Sequence, residues 1–413
     1  SWGAHSAMAE AEIEYEDKTS TAIDVRFAPR DKAAMLAAFN VDDDSEDINI
    51  VIWTTTPWTI PGNLAVTLHP ELQYALVSVN GEKLIVAEAM VDDVMKSYEF
   101  SDYRIVGTTD GASLAGLKLK HPLYESDSLL ILGDYVTTDA GTGAVHTAPD
   151  HGVDDFYAAK KHDLGLLDSV NDHGVFREHV ELFGGEHVMK VDAHMLEELT
   201  SRGRLVKSEK YQHSYPYCWR TKTPIIYRAT PQWFVSMDKE NLRKDTLSEI
   251  EKVQWIPSWG QDRIHGMIAD RPDWCISRQR YWGVPLPLFL NKQSGELHPR
   301  TTEIIEAAAV EIEKHGIQAW FDLDPESLIG DDATAYDKVT DVLDVWFDSG
   351  TSWMHVLKQN ENLTYPADIY LEGSDQHRGW FHSSILTSVA INQHAPYKQV
   401  LTHGFTVDQK GRK

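Results

Sequence analysis

Two cysteines, Cys218 and Cys275, are all that a chain of 413 residues contains. They lie far apart in sequence, so no disulfide framework is available and a reducing, cytoplasmic setting is expected. No apolar run approaches the roughly 18 residues of a membrane-spanning helix, and no membrane partner is expected. The opening Ser-Trp-Gly-Ala-His has neither a basic leader nor an apolar stretch, which argues against a signal peptide. Positive charge is scarce: 38 Lys and Arg face 64 Asp and Glu, for a formal net charge of -26. That balance excludes a generic nucleic-acid binder, because phosphate contacts rely on Lys and Arg. Any RNA must meet local basic patches, of which Arg220-Thr-Lys222, Arg228 and Arg278-Gln-Arg280 are candidates.

What is present suits a globular protein. Hydrophobic residues make up 42% and charged residues 25%, enough to bury a sizeable core. The length argues for two or three domains. There is no initiator Met, and the text stops at Asp408-Gln-Lys-Gly-Arg-Lys413, so a fragment of a longer protein is expected.

Alternating, acidic segments at 11–16 and 23–27 read as strands, and 1–44 as connector strands. The β-branched run 48–55 reads as a buried strand, stopped by Pro57 and Pro61. Further strands are expected at 74–79, 83–87 and 129–132, with helices at 153–162 and 193–202. Short strands with few helices predict a β-rich, barrel-like domain over 45–205. Residues 206–273 read as a connector. From 274 to 413 an α/β domain is expected, with a polar helical insertion at about 291–340. Its strands at 342–347, 369–371 and 400–402, with a helix at 380–392 between the last two, predict a parallel sheet.

Two groups of residues carry chemistry. The first is Trp53-Thr-Thr-Thr-Pro-Trp-Thr-Ile-Pro-Gly-Asn63 together with Gly141-Thr-Gly-Ala-Val-His-Thr-Ala-Pro149 and Asp154-Asp155. Hydrolysing an ester requires an anchor for the substrate, a held water and donors for charge on the carbonyl oxygen. Thr54, Thr55 and Thr56 offer hydroxyls, of which strand alternation lets at most two face one pocket. Asn63 offers an amide, and His146 could orient a ribose hydroxyl or a water. The Asp155 carboxylate could pair with an α-ammonium group. A Thr run alone is ordinary in a strand; the joint occurrence is what points to a pocket. The second group is Tyr370-Leu-Glu-Gly-Ser-Asp-Gln-His-Arg-Gly-Trp-Phe381, a strand end that opens a helix. Such a turn sits where open α/β sheets bind ligands. Glu372 or Asp375 could accept from ribose hydroxyls, Gln376 supplies an amide, and Trp346 and Trp380 could wall an apolar pocket.

These words resemble the bacterial isoleucyl-tRNA synthetase family, over nearly the whole chain. The resemblance implies a class I ligase that uses ATP and Mg2+ to attach isoleucine to its tRNA. It also implies an inserted editing domain that hydrolyses mischarged valyl-tRNA without a cofactor. One methylene separates valine from isoleucine and is worth only about 1–3 kcal/mol, this pair being the standard example of that limit. By the resemblance, Thr54, Thr55, Thr56 and Asn63 line the editing pocket, His146 contacts the substrate end, and Asp155 binds the α-amino group. Glu372, Gly373, Asp375 and Gln376 would contact adenylate, Trp346 and Trp380 would border the amino-acid pocket, and His403, in Leu401-Thr-His-Gly-Phe405, would lie near adenine. Asp344-Val-Trp-Phe-Asp-Ser-Gly350 and Trp274-Cys-Ile-Ser-Arg-Gln-Arg-Tyr-Trp-Gly283 match the family too.

Two departures matter. The family's His-Ile-Gly-His word is absent, and its Lys-Met-Ser-Lys-Ser loop would only begin at Lys413. This chain alone is therefore not expected to activate an amino acid. Around Cys218, Thr221 stands where some relatives place a second zinc-binding Cys, so structural zinc is not expected and no metal ligand is assigned. A monomer is expected. The competing readings are a valyl-type synthetase fragment and a non-catalytic module that binds the tRNA end.

Overall fold

The computed structural model describes residues 1–8, 12–405 and 407–411; Ala11, in the first expected strand, and Lys413 lie outside them. The chain divides into two compact units, Ser1–Thr230 and Pro231–Lys413. Among the described residues no helix is long and apolar enough to cross a membrane.

The described residues of the first unit form ten strands: β1 (Ile13–Phe27), β2 (Asp47–Thr54), β3 (Ala65–Leu68), β4 (Gln73–Val79), β5 (Glu82–Ala87), β6 (Tyr103–Asp110), β7 (Lys118–Lys120), β8 (Asp127–Leu132), β9 (Ala144–Thr147) and β10 (Leu205–Cys218). One sheet has the order β10-β1-β2-β5-β4-β6 and the other β7-β8-β3-β9. Both are mixed, since β2 runs parallel to β5 and β3 parallel to β8 while the other pairs are antiparallel. Neither sheet closes on itself, because the end strands do not pair, so the barrel expected from the short strands is instead two open sheets.

The apolar run of β2 is central and buried on both faces, as its lack of alternation required. The stretch read as a connector from 206 holds β10, which pairs with β1 from Ile13↔Cys218 to Val25↔Leu205. Its two-residue alternation, Tyr211-Gln-His-Ser-Tyr-Pro-Tyr217, was disguised by the Pro; its rings stand in a row, His213 and Tyr215 with centroids 5.5 Å apart.

The Gly141-Thr-Gly143 word ties the two sheets together. Thr142 Oγ1 donates to Val51 O at 2.6 Å, and Ala87 N–H donates to Thr142 O at 2.8 Å. A Cβ on Gly143 would come within 2.3 Å of the Ala87 Cβ, at a φ of +77°. Only glycine fits there, and the tight passage sets the start of β9 and hence the place of His146.

In the second unit, strands Gln254–Ile256, Gln399–His403 and Tyr370–Gly373 form a wholly parallel three-stranded sheet, with Gln399–His403 central. Helix Trp380–Asn392 is buried along Phe381–Val389. The strand expected over 342–347 is only Val342–Leu343. The Asp344 carboxylate then accepts from Trp346 N–H and starts helix Val345–Gly350, a capping role that outweighs the β-branched pattern. Helices Thr301–His315, Gln318–Asp322 and Pro325–Ile329 surround a separate small core of Phe289, Ile304, Ala308, Trp320 and Ile329.

Candidate functional site

In the first unit, β2 ends at Thr54 and Pro57 starts a short helical turn, Pro57–Gly62. The fixed φ of proline suits that first position. Thr54 and Thr56 therefore fall on one side, with hydroxyls 3.1 Å apart, while Thr55 is half-buried away from this pair. Thr54 Oγ1 also accepts from Thr56 N–H at 3.1 Å. One turn on, Thr59 Oγ1 donates to Thr56 O at 2.9 Å and lies 2.9 Å from His146 Nε2.

The directions of these bonds follow from the donors. Asn63 Nδ2 donates to Ala65 O and to His146 Nδ1, both at 2.8 Å. His146 Nδ1 is thus an acceptor, so its proton sits on Nε2 and is given to Thr59 Oγ1. Thr59 has already committed its own proton to Thr56 O. Both nitrogens of His146 are engaged inside the protein, and the ring is buried. Burial pushes its pKa down to about 3, and the nearby His121 and His151 push the same way. His121 is likewise held neutral, its pKa lowered by burial to about 4, with Nε2 on Ile60 O at 3.1 Å.

Asp155 lies in the first turn of helix Val153–Lys161. Its Oδ2 accepts from Ala148 N–H at 2.9 Å, two residues beyond His146. Burial raises its pKa to about 6, opposed by that N–H and aided by Asp154. The carboxylate is therefore fixed through Oδ2, and Oδ1 has no hydrogen bond among the described residues.

In the second unit, Gly373 pairs with His403 across the parallel sheet. A Cβ on Gly373 would approach Asp375 Oδ1 to 2.6 Å, so glycine lets that carboxylate fold back over the strand end. Gln376 Nε2 donates to Asp375 Oδ2 at 2.9 Å, and its Oε1 accepts from Trp380 N–H at 2.8 Å, capping the following helix. Trp380 stacks on Tyr370 with centroids 4.0 Å apart and donates its indole N–H to Ser349 O at 3.1 Å. The Trp346 ring closes on Gly379, where a Cβ would meet it at 3.0 Å. Glu372, Asp375 and His403 are exposed. All seven residues singled out in this half fall in one neighbourhood at the strand ends.

The family model for tRNA synthetases class I (I, L, M and V) matches residues 1–413. This chain belongs to that family. The isoleucine–tRNA ligase of Marinomonas sp. (strain MWYL1) is 56% identical over 412 residues, covering 99% of this chain and 44% of that protein. The isoleucine–tRNA ligase of Thioalkalivibrio sulfidiphilus (strain HL-EbGR7) is 57% identical over 409 residues, with the same two coverages. The synthetase chain thus spans 44% of the length of these curated relatives. The crystal structure of the P. knowlesi cytosolic leucyl-tRNA synthetase editing domain covers 48% of the chain and 97% of its own, at 13% identity and a TM-score of 0.36, too low to build on.

Of the basic patches read in the synthetase sequence, Arg278 is not a surface group. It is buried and bonded to Asp344 Oδ2 at 3.0 Å, because the Trp274 indole and Arg278 share that carboxylate. Thr59 was missed, although a threonine one helical turn after Thr56, inside a turn begun by Pro57, was a readable signal. Tyr135 carried no such signal; its hydroxyl donates to Thr67 Oγ1 at 3.1 Å and its pKa is raised by burial, with Asp155 nearby contributing. Among the described residues one trio, His5, Asp172 and His173, brings ligating atoms within 4.8 Å of one another, all exposed. The carboxylates of the 372–376 turn do not gather into such a group.

Proposed function

We propose that this chain is part of an isoleucyl-tRNA synthetase. The whole enzyme attaches isoleucine to its tRNA with ATP and Mg2+ in the cytoplasm, as a monomer, and the first unit removes valine attached in error. The editing body is 45–205, which we extend by 1–44 and 206–230 because β1 and β10 belong to its sheet.

The observation that carries the reading is the half-engaged Asp155 carboxylate beside the hydroxyl row. Asp155 takes the α-ammonium of an aminoacyl ester on its second oxygen. Thr54 Oγ1 accepts from Thr56 N–H and shares one proton with Thr56 Oγ1, so this hydroxyl pair has a second proton to offer the ester carbonyl oxygen or the attacking water. His146 is a positioning residue: neutral and doubly bonded, it holds Thr59 and Asn63 and does not take a proton itself. No side chain here is set up as a nucleophile, so water attacks the ester directly and the terminal ribose of the tRNA is the leaving group. Thr55, half-buried and outside the hydroxyl pair, is given no contact with the ester.

In the second unit, Glu372 and Asp375 accept from ribose hydroxyls of the adenylate, Gly373 permits close approach, and His403 lies by the adenine. Trp346 and Trp380 border the side-chain pocket. ATP supplies the activating adenylyl group in the whole enzyme, and no step is assigned to a metal held by this chain.

The test is valine release from valyl-tRNA specific for isoleucine, by this chain and its Asp155→Ala form, with isoleucyl-tRNA as control. Release that spares the isoleucyl ester and is lost in the variant supports editing. Equal release of both esters refutes the sieve and leaves a valyl-type or generic hydrolase. The saturated state of His146 favours one second reading, a module that binds the tRNA end without hydrolysis. Binding of a non-hydrolysable valyl-adenosine analogue with no turnover would select it.

A further inference from the structure

A cavity of about 660 Å³ opens in the first unit between the start of β2, the β4–β5 turn and the segment before β10. Six cations line it, Arg26, Arg30, Lys32, Lys120, Arg202 and Arg204, against two carboxylates, Asp47 and Glu82. In a chain of formal net charge -26, that concentration runs opposite to the whole. None of the basic patches read from the sequence contributes to it, because its cations come from segments more than 150 residues apart.

Backbone bonds hold the cations together. Arg26 N–H donates to Arg204 O at 2.8 Å, Lys120 N–H to Ala28 O at 2.7 Å, and Arg30 N–H to Lys118 O at 2.8 Å. Four of the six side chains are committed elsewhere: Arg26 to Glu82, Arg30 to Asp127, Lys32 to Asp44 O and Arg202 to Glu198. Lys120 and Arg204 have no side-chain partner among the described residues. Three of the four committed side chains are paired with carboxylates and Lys32 sits on a neutral carbonyl, so against Asp47 the two uncommitted cations leave the recess positive, and it attracts an anion without needing to break existing pairs. A smaller cavity of about 130 Å³ adjoins it through Arg30, Lys120, Arg202 and Arg204.

We infer that this recess binds phosphates of an RNA backbone, with Lys120 and Arg204 as the contacting cations. The phosphate chemistry stands on the recess alone; the choice of RNA as its source rests on the reading of the chain as a tRNA synthetase. The geometry is that of a backbone contact, which positions a strand without reading its bases.

The experiment is fluorescence anisotropy of labelled, deacylated, unfractionated tRNA with the full chain at about 50 and about 200 mM KCl. The Lys120→Ala/Arg204→Ala double variant is expected to bind about tenfold or more weakly at the lower salt. Its slope of log affinity against log salt should be shallower by between about 1 and 2, since each lost phosphate contact removes about 0.7–0.9. Lys96→Ala, an exposed cation elsewhere on the unit, should leave both unchanged, and circular dichroism melts check that each variant folds. Binding by the folded double variant within about twofold of the parent, with an unchanged slope, overturns the inference. Tripolyphosphate is the second arm. If the double variant loses tripolyphosphate binding but keeps tRNA binding, the recess serves free phosphates and the RNA assignment falls. The readout needs no hydrolysis, so Asp155→Ala should bind tRNA as the parent does, and failure of the editing reading would be seen separately.

Discussion

The threonine–histidine site of the first unit and the 372–376 turn of the second handle polar groups in opposite ways. In the first, His146, Asn63 and Thr59 are buried and His146 is bonded to both of the others, so the orientation of the ring is fixed by its neighbours, while Asn63 Oδ1 is buried without a partner. In the second, Glu372, Asp375 and His403 are exposed at the ends of two parallel strands, with Asp375 held by Gln376 Nε2 and His403 Nδ1 on Gly404 O, while Gln376 and Trp380 are anchored to the following helix and to Tyr370. The first site is preorganised at a cost in burial; the second leaves its carboxylates exposed. A buried polar network is therefore expected to show its mutations in stability, and an exposed one mainly in binding.

His146→Ala is the harshest break of that comparison. It removes one of the two acceptors of Asn63 Nδ2 and the donor to Thr59 Oγ1 beside a new void, and should destabilise the first unit by about 3 kcal/mol. Chemical denaturation followed by differential calorimetry would show this as a shift confined to one transition; a shift of both would mean that the units do not unfold separately.

Asp155→Asn keeps shape and removes charge. Losing a charge-assisted bond to the α-ammonium, about 1.5–3 kcal/mol, should cut kcat/KM for valyl-ester hydrolysis by about 10- to 150-fold while the melting temperature holds or rises. It rises if anything because the buried charge is itself a cost. A variant that hydrolyses normally would remove Asp155 from the anchor role.

The same carboxylate sets a pH dependence. With its pKa raised to about 6, Asp155 becomes protonated as pH falls through 6, and kcat/KM should drop toward tenfold per pH unit below that point. Stability moves the other way for this group: the folded state favours the protonated carboxyl, so its cost is absent below the unfolded value near 3.9 and grows as pH rises to 6. His146 and His121 oppose it, since their folded pKa values are depressed to about 3 and about 4. Each contributes stability that is complete above about 6.5 and lost on acidification by up to about 1.4 kcal/mol per pH unit. Melting curves of the first unit from pH 7 to 4 should therefore fall in Asp155→Asn more steeply than in the parent.

The smaller effects lie in the second unit. Gln376→Ala removes the cap on Trp380 N–H and should cost about 1 kcal/mol of helix stability. Glu372→Ala, at an exposed position, should change stability by no more than about 0.5 kcal/mol while weakening an adenylate analogue in calorimetric titration of the whole enzyme. A large stability loss from Glu372→Ala would end the contrast between the two sites.

Much of this was legible in one sequence because it is local. The run at 48–55 had to be a buried strand, Pro57 had to end it, and the helix over 380–392 follows from a stretch free of Pro, Gly and charged residues. Thr54 and Thr56 sharing a side follows from strand alternation, a property of the backbone alone. The pairing of the glycine-rich turn with β5, by contrast, depends on a close approach that no pattern announces.

What the sequence by itself determined is the family, the residue types of both sites and most element positions, since each rests on contiguous words and their periodicity. Tertiary structure alone decided that the two sheets stay open, that His146 is consumed by its neighbours, that Arg278 is buried on Asp344, and that six cations from distant segments meet in an acidic chain. The physical reason is common to all four. Hydrogen bonds and charges act over a few ångströms, and which residues come that close is settled by packing, which joins segments that sequence spacing keeps apart.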